Sequence, residues 1–123
     1  MFINISNHPL CNWSSHQLAA VKEYGNVIDL PFPTVNPSGN EEYIRVLCDD
    51  YLKKINEICR DAARRVSTAT VHIMGEMTLT YALVNALQKQ GAICIASTTE
   101  RISVEKDGMK TSEFRFVQFR KYR

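Results

Sequence analysis

The stretch TVHIMGEMTLTYALVNALQKQGAICIAS, residues 70–97, decides the fold. Two short apolar runs, at 70–74 and 92–96, flank a longer segment that is typical of a helix. Gly75 closes the first run, and Gly91 is well placed to end the helix. Consecutive strands that are joined through a helix pair in parallel, with a right-handed crossover. The stretch therefore predicts a β-α-β unit of a parallel sheet.

The same alternation is found at the N-terminus. MFINIS at 1–6 and NVIDLPFP at 26–33 are typical of short strands. Between them, a capping box formed by Ser14 and Gln17 predicts a helix that stops at Gly25. The chain therefore begins with a strand, a helix and a second strand.

A longer helix is predicted between these two units. The pattern Ser38-Gly39-Asn40-Glu41 repeats the capping box, and apolar residues then recur every three or four positions from about 41 to 65. The opposite face is charged, which is typical of a solvent-exposed helix face.

The C-terminal part predicts a β-hairpin. Asp-Gly at 107–108 separates two β-prone runs, which is a strong signal for a two-residue turn. In the last strand, Phe114 and Phe116 share one phase of the strand repeat. Val117 and Phe119 share the other phase, so the strand is either buried on both faces or contains a bulge.

Together these segments predict the α/β fold class: a small Rossmann-like, mostly parallel sheet with helices on both faces and a C-terminal β-hairpin. The length of 123 residues favours a single domain over residues 1–123. With 45% hydrophobic and 23% charged residues, the composition is ordinary for a soluble globular protein. The net charge of +2 does not by itself argue for nucleic acid, although residues 115–123 carry four basic side chains and no acidic one.

Several function classes are disfavoured by motifs that the sequence lacks. The four cysteines form no C-x-x-C pair, and three lie in apolar patterns, so we expect a reduced, cytoplasmic protein. His8, His16 and His72 lack metal-binding spacing, and no dinucleotide fingerprint, P-loop or G-x-S-x-G motif is present. No apolar run approaches the roughly 20 residues that a bilayer requires. We therefore expect no metal, no cofactor and no membrane partner.

Polar residues follow the strands at the carboxyl edge of the predicted sheet, where open parallel sheets bind their ligands. The hydroxyls and the guanidinium of Ser97–Arg101, and the N–H groups of the helix after Gly75, suit a phosphate. Trp13 or Phe32 could stack on a base. The combination favours a nucleotide as the ligand.

Each of these residues also has a purely structural interpretation. Gly75 could serve only a tight turn, Glu76 could only complement the helix dipole, and Trp13 could only cover the core. His72 lies inside a strand and is interpreted as a hydrogen-bonded core histidine. His8 stands at a strand end before a proline and is the better candidate for a ligand contact or acid–base role.

Three stretches, NISNHPLCNWS, HIMGEMTLTYALVNAL and AICIASTTERIS, together with the order of strands and helices, resemble the small stand-alone proteins of type III CRISPR systems. Those proteins have a CARF-like Rossmann domain, the CRISPR-associated fold that binds cyclic oligoadenylates. In that family a two-fold dimer places the ligand across its symmetry axis.

The resemblance implies a homodimer, which could assemble further, that binds a cyclic oligoadenylate such as cyclic tetra-adenylate. It implies a lower free level of this messenger, by sequestration, by metal-independent ring cleavage or by both, and thus damped type III CRISPR signalling. The implied ligand contacts are Asn7, Trp13, Gly75, Thr78, Ser97, Thr98 and Arg101. If the protein is a ring nuclease, His8, Glu76 and Thr99 are the candidate catalytic residues. No lysine stands at these strand ends, which departs from the pattern expected for cleavage.

Two other functions stay open on the sequence. One is a small-nucleotide phosphoesterase outside CRISPR, which would bind mononucleotides as a monomer. The other is a structural protein that uses the basic strand RFVQFRKYR for assembly or for RNA, with a steep salt dependence.

Overall fold

The computed structural model describes residues 1–123 and has a five-stranded sheet in the order β2-β1-β3-β4-β5. Strands β1 to β4 are parallel, and β5 is antiparallel to β4. The predicted small Rossmann-like α/β fold is therefore confirmed. The elements are β1 Phe2–Ser6, α1 Ser15–Val21, β2 Val27–Asp29, α2 Glu41–Asp61, β3 Thr70–Met74, α3 Met77–Lys89, β4 Ile93–Lys106 and β5 Met109–Lys121.

The helices cover both faces of the sheet, as predicted. Helices α2 and α3 pack on one face, over the largest apolar cluster, which includes Ile55, Val71 and Leu83. Helix α1 lies on the other face, over a smaller cluster that contains Phe2 and Ile95. Burial of these two apolar surfaces supplies the main favourable term for folding. No helix is long and apolar enough to cross a membrane.

The helix ends differ in detail from the predicted ones. Ser14 caps α1 by accepting a hydrogen bond from the Gln17 N–H, as predicted. The cap of α2 is Asn40, whose side chain accepts from the Tyr43 N–H, and not Ser38. Helix α2 also ends at Asp61 rather than near 65, because the chain turns into the left-handed region at Ala63, with φ 52°.

Strand β4 is much longer than predicted. It does not break at the polar residues 97–101 but continues to Lys106. Its pairing with β3 stops at Ile95, and from there β5 supplies the hydrogen-bonding partner, so the two strands project together as a ribbon. The turn is the predicted Asp-Gly pair, with both residues at positive φ (55° and 75°), as a type I′ turn requires.

A β-bulge interrupts this ribbon, which confirms one of the two interpretations of the last strand. Thr98 pairs with Gln118 whereas Thr99 pairs with Phe116, so Val117 has no partner on β4. The extra residue shifts the phase of the strand and brings Phe116 and Phe119 together, with ring centroids 5.0 Å apart.

The close contact between Gly75 and Phe32 gives a test of this packing. A Cβ atom at Gly75 would lie 2.5 Å from atoms of the buried Phe32 ring. We expect Gly75→Ala to destabilise the fold by about 1–3 kcal/mol, because the ring must move within a packed core. Urea unfolding of the variant measures this cost.

The matched control is the same substitution in a Phe32→Leu background. There the ring is absent, so the cost of Gly75→Ala should fall clearly in a double-mutant cycle. An equal cost in both backgrounds would show that the glycine is needed for another reason.

Candidate functional site

The candidate site is a pocket of about 960 Å³ at the carboxyl ends of β1 and β3, beside the middle of β4. The strand order reverses between β1 and β3, because the chain passes from β1 to one side of the sheet and later to the other. Ligands of open α/β sheets bind at such a switch point. The segment that contains Trp13 and α1 forms one wall of the pocket, and the β4–β5 ribbon forms another.

The pocket brings together six of the residues that the sequence proposed for the site. They come from three separate segments of the chain, and they are Asn7, His8, Trp13, Gly75, Ser97 and Thr99. The other four do not line it: Glu76, Thr78, Thr98 and Arg101.

Glu76 and Thr78 take part in the N-terminal cap of helix α3. The Glu76 carboxylate accepts hydrogen bonds from the N–H groups of Leu79 at 2.9 Å and Thr78 at 3.0 Å, and from the Thr78 hydroxyl. These bonds, with the one from Leu79 first, lower the pKa of Glu76. The helix N-terminus is therefore occupied by the protein's own carboxylate, and the expectation of free N–H groups for a phosphate is corrected.

Thr98 and Arg101 belong to the ribbon. The Thr98 hydroxyl bonds the backbone of Gln118 beside the bulge. The Arg101 guanidinium donates to the Ser112 hydroxyl on β5, at 3.1 and 3.2 Å. Neither side chain lines the pocket, because β4 continues past the end of β3 instead of turning at the rim.

The guanidinium at the pocket is that of Arg115 on β5, a residue that the sequence did not propose for the site. Its only ionic partner is Glu113, with the nitrogen and oxygen 3.6 Å apart on an exposed surface. Such a surface pair contributes little, so the guanidinium is available to an anion. Glu100, the cross-strand neighbour of Arg115, is the one acidic residue that lines the pocket.

The aromatic residues divide into fixed and accessible ones. Trp13 is buried, and its indole N–H donates to the carbonyl of His8 at 2.9 Å, so it lines the pocket as part of a rigid wall. Phe32 packs beneath Gly75 and does not reach the pocket. Phe114, on the ribbon, is 68% exposed and lines the pocket, which makes it the aromatic ring best placed to stack on a ligand.

A line of buried and partly buried hydrogen bonds forms the floor of the pocket. His72 is only 2% exposed; its Nδ1 lies 2.9 Å from the Asn4 Oδ1, and its Nε2 lies 2.7 Å from the Ser97 Oγ. Gln17 donates to the same Ser97 oxygen at 3.1 Å. Asn4 in turn donates to Asp29 and to the carbonyl of His8.

The environment of His72 keeps its imidazole neutral. Burial, and after it the charge of His8, lower the pKa of His72 to about 4. The interpretation of His72 as a hydrogen-bonded core histidine is therefore correct, yet the side chain also lines the pocket. Sequence reasoning missed its role, together with those of Asn4 and Gln17. The one usable signal was that His72 is a polar residue within an otherwise apolar strand.

The fold and the pocket define a class: a small Rossmann-like α/β protein with a pocket at the switch point of the sheet. Within that class, the chain belongs to the family described as "Uncharacterized protein MJ1673 family", whose model matches residues 1–120. No curated protein and no solved structure matches the chain. No group of three or more His, Cys, Asp or Glu side chains could hold a metal ion.

The buried His72 predicts a pH dependence of stability. The unfolded chain binds a proton at this residue near pH 6.5, whereas the folded protein does so only near pH 4. Between these values the unfolded state holds more protons, so acidification should lower the free energy of unfolding, by about 3 kcal/mol in total from this residue. Urea unfolding at several pH values between 4 and 7 measures the slope.

His72→Gln is the control, because glutamine does not titrate in this range. The difference in unfolding free energy between the two proteins should shrink or reverse towards pH 4. Parallel pH curves for the two proteins would contradict a neutral, buried His72.

Proposed function

We propose that the protein binds a cyclic oligoadenylate, with cyclic tetra-adenylate as the first candidate, across a homodimer. Binding lowers the free level of the messenger and so damps type III CRISPR signalling. The observation that carries the proposal is the pocket at the switch point, where the chain's resemblance to CARF-like proteins would place the ligand. Its volume of about 960 Å³ is near the upper end of the roughly 300–1,000 Å³ range of small-molecule sites.

The lining of the pocket supports a nucleotide as the ligand. Arg115 provides a planar cation for a phosphodiester, and Phe114 provides an exposed ring for a base. Amide and hydroxyl groups of Asn7, Gln17 and Thr99 offer further polar contacts. This mixture suits a ligand with bases, sugars and phosphates better than an apolar metabolite.

The two-fold dimer that we propose would suit a cyclic ligand. A ring with two-fold internal symmetry can present the same groups to two identical pockets, which doubles the contacts without a new type of site. The exposed residues at the pocket mouth, among them His8, Phe114 and Arg115, are those that such a ring would reach first.

Lowering of the free messenger can proceed by tight binding or by metal-independent cleavage. In the cleavage reaction a ribose 2′-hydroxyl attacks its own phosphodiester and gives a cyclic phosphate and a free 5′-hydroxyl. Of the three residues that the sequence proposed for this step, His8 and Thr99 line the pocket. Glu76 is not included, because its carboxylate caps α3.

The decisive experiment offers cyclic tri-, tetra- and hexa-adenylate to the protein without metal. We expect one ring to bind with a stoichiometry of one per dimer, measured by calorimetry, and linear tetra-adenylate to bind more weakly. Chromatography of the same samples separates intact rings from linear products. Tighter binding of a mononucleotide by a monomer would favour the small-nucleotide phosphoesterase. Binding of RNA with a steep salt slope and no preference for a ring would favour the assembly protein.

Phe114 supplies a test of the site itself. Phe114→Ala should weaken ring binding by roughly 5- to 150-fold, because base stacking on an aromatic ring contributes about 1–3 kcal/mol. Tyr81→Ala is the matched control, since Tyr81 is a similarly exposed aromatic residue that does not line this pocket. Equal affinities of the two variants would place the ligand elsewhere.

A further inference from the structure

The hydrogen atoms in the floor of the pocket can be assigned from the partners alone. The amide nitrogen of Asn4 lies 2.9 Å from two groups that only accept, the carbonyl of His8 and the carboxylate of Asp29. The amide oxygen must therefore face the other way, towards the Ser6 hydroxyl and the Nδ1 of His72. The orientation of Asn4 is thus determined.

This orientation determines the tautomer of His72. The Asn4 oxygen cannot donate, so the Nδ1 of His72 must carry the hydrogen. In the neutral imidazole the Nε2 is then a free acceptor. The Ser97 hydroxyl, 2.7 Å away, must donate its proton to that nitrogen.

Ser97 consequently faces the pocket as an acceptor. A serine hydroxyl has one hydrogen and two lone pairs; His72 receives the hydrogen, and the Gln17 amide fills one lone pair at 3.1 Å. The remaining lone pair is left for a group in the pocket that Ser97 lines. From the sequence we expected this hydroxyl to donate to a phosphate oxygen, and it cannot do so. It can instead accept a hydrogen bond from a hydroxyl group of the ligand.

We propose that Ser97 accepts the proton of a ribose 2′-hydroxyl of the bound ring and passes its own proton to the Nε2 of His72. This inference rests on the proposed function and names the groups that would carry out its cleavage step. Ser97 contacts the substrate, and His72 acts through it. Asn4 and Gln17 position the two groups.

The step balances in atoms and charge. The 2′-oxygen forms a bond to the adjacent phosphorus while its proton moves to Ser97 and the serine proton moves to His72. The bond from phosphorus to the 5′-oxygen breaks, and that oxygen takes a proton from water. The products are a 2′,3′-cyclic phosphate and a 5′-hydroxyl, and His72 afterwards returns its proton to water through Ser97.

The surroundings support both states of the imidazole. Asn4 accepts from Nδ1 before and after the transfer, so the ring does not need to turn. Burial alone disfavours the imidazolium, but a phosphodiester anion held next to Ser97 would stabilise it. A positioned proton acceptor of this kind contributes about 10²- to 10⁴-fold to a rate.

The first test is Ser97→Ala, assayed with the ring that the wild-type protein binds. We expect the single-turnover cleavage rate to fall by about 100-fold or more, while the dissociation constant changes by less than about tenfold. Ser103→Ala is the matched control, because Ser103 lies on the same strand outside the pocket. It should cleave at the wild-type rate.

The second test separates proton transfer from packing. His72→Gln can keep hydrogen bonds but cannot accept a proton, so its cleavage rate should fall as in Ser97→Ala with binding retained. In parallel, a ring with a 2′-deoxyribose at each position should bind the wild type about two- to tenfold more weakly than the ribose ring. Ser97→Ala should bind the ribose ring and the deoxyribose ring with equal affinity. This comparison tests the role of Ser97 even if His72→Gln does not fold.

The outcomes distinguish the two proposals. If the wild type binds no ring, the proposed function fails and the relay fails with it. Binding without cleavage, or cleavage that survives Ser97→Ala, overturns the relay alone and leaves the receptor function in place.

Discussion

A single constraint organises the molecule: a buried imidazole must have a hydrogen-bond partner at each nitrogen. An unpartnered polar group at this depth costs about 1–3 kcal/mol. Asn4, His72 and Ser97 satisfy the constraint across β1, β3 and β4, and Asn4 and His72 are direct neighbours in the register of the sheet. The side-chain hydrogen bonds that connect the three central strands therefore also form the floor of the pocket.

The two faces of the sheet carry different kinds of side chains. The face under α2 and α3 is a conventional apolar core. The face under α1 combines a small aromatic cluster with the hydrogen bonds of the pocket floor. Trp13 contacts both, because its ring packs on Phe2 and its N–H donates to the carbonyl of His8. The larger apolar core and the candidate pocket therefore lie on opposite faces of the sheet.

The pocket does not use the device that Rossmann-like folds often use for phosphate. The N-terminus of α3 is closed by Glu76, and Gly75 makes room for the Phe32 ring rather than for a ligand. The positive charge comes instead from the β4–β5 ribbon, through Arg115. The ribbon therefore contributes to the candidate site together with the ends of the parallel strands.

The sequence by itself determined the order of strands and helices and the Asp-Gly turn, because these depend on local periodicity and turn chemistry. It also indicated a bulge as one of two interpretations of the last strand. Counting outwards from the turn even pairs Glu100 with Arg115. Only the tertiary structure decided that β4 continues as a ribbon past the end of β3, and that His72 reaches residues 68 and 25 positions away in the chain. Such contacts depend on strand order and register, which bring distant side chains together, and no local pattern in the sequence encodes that proximity.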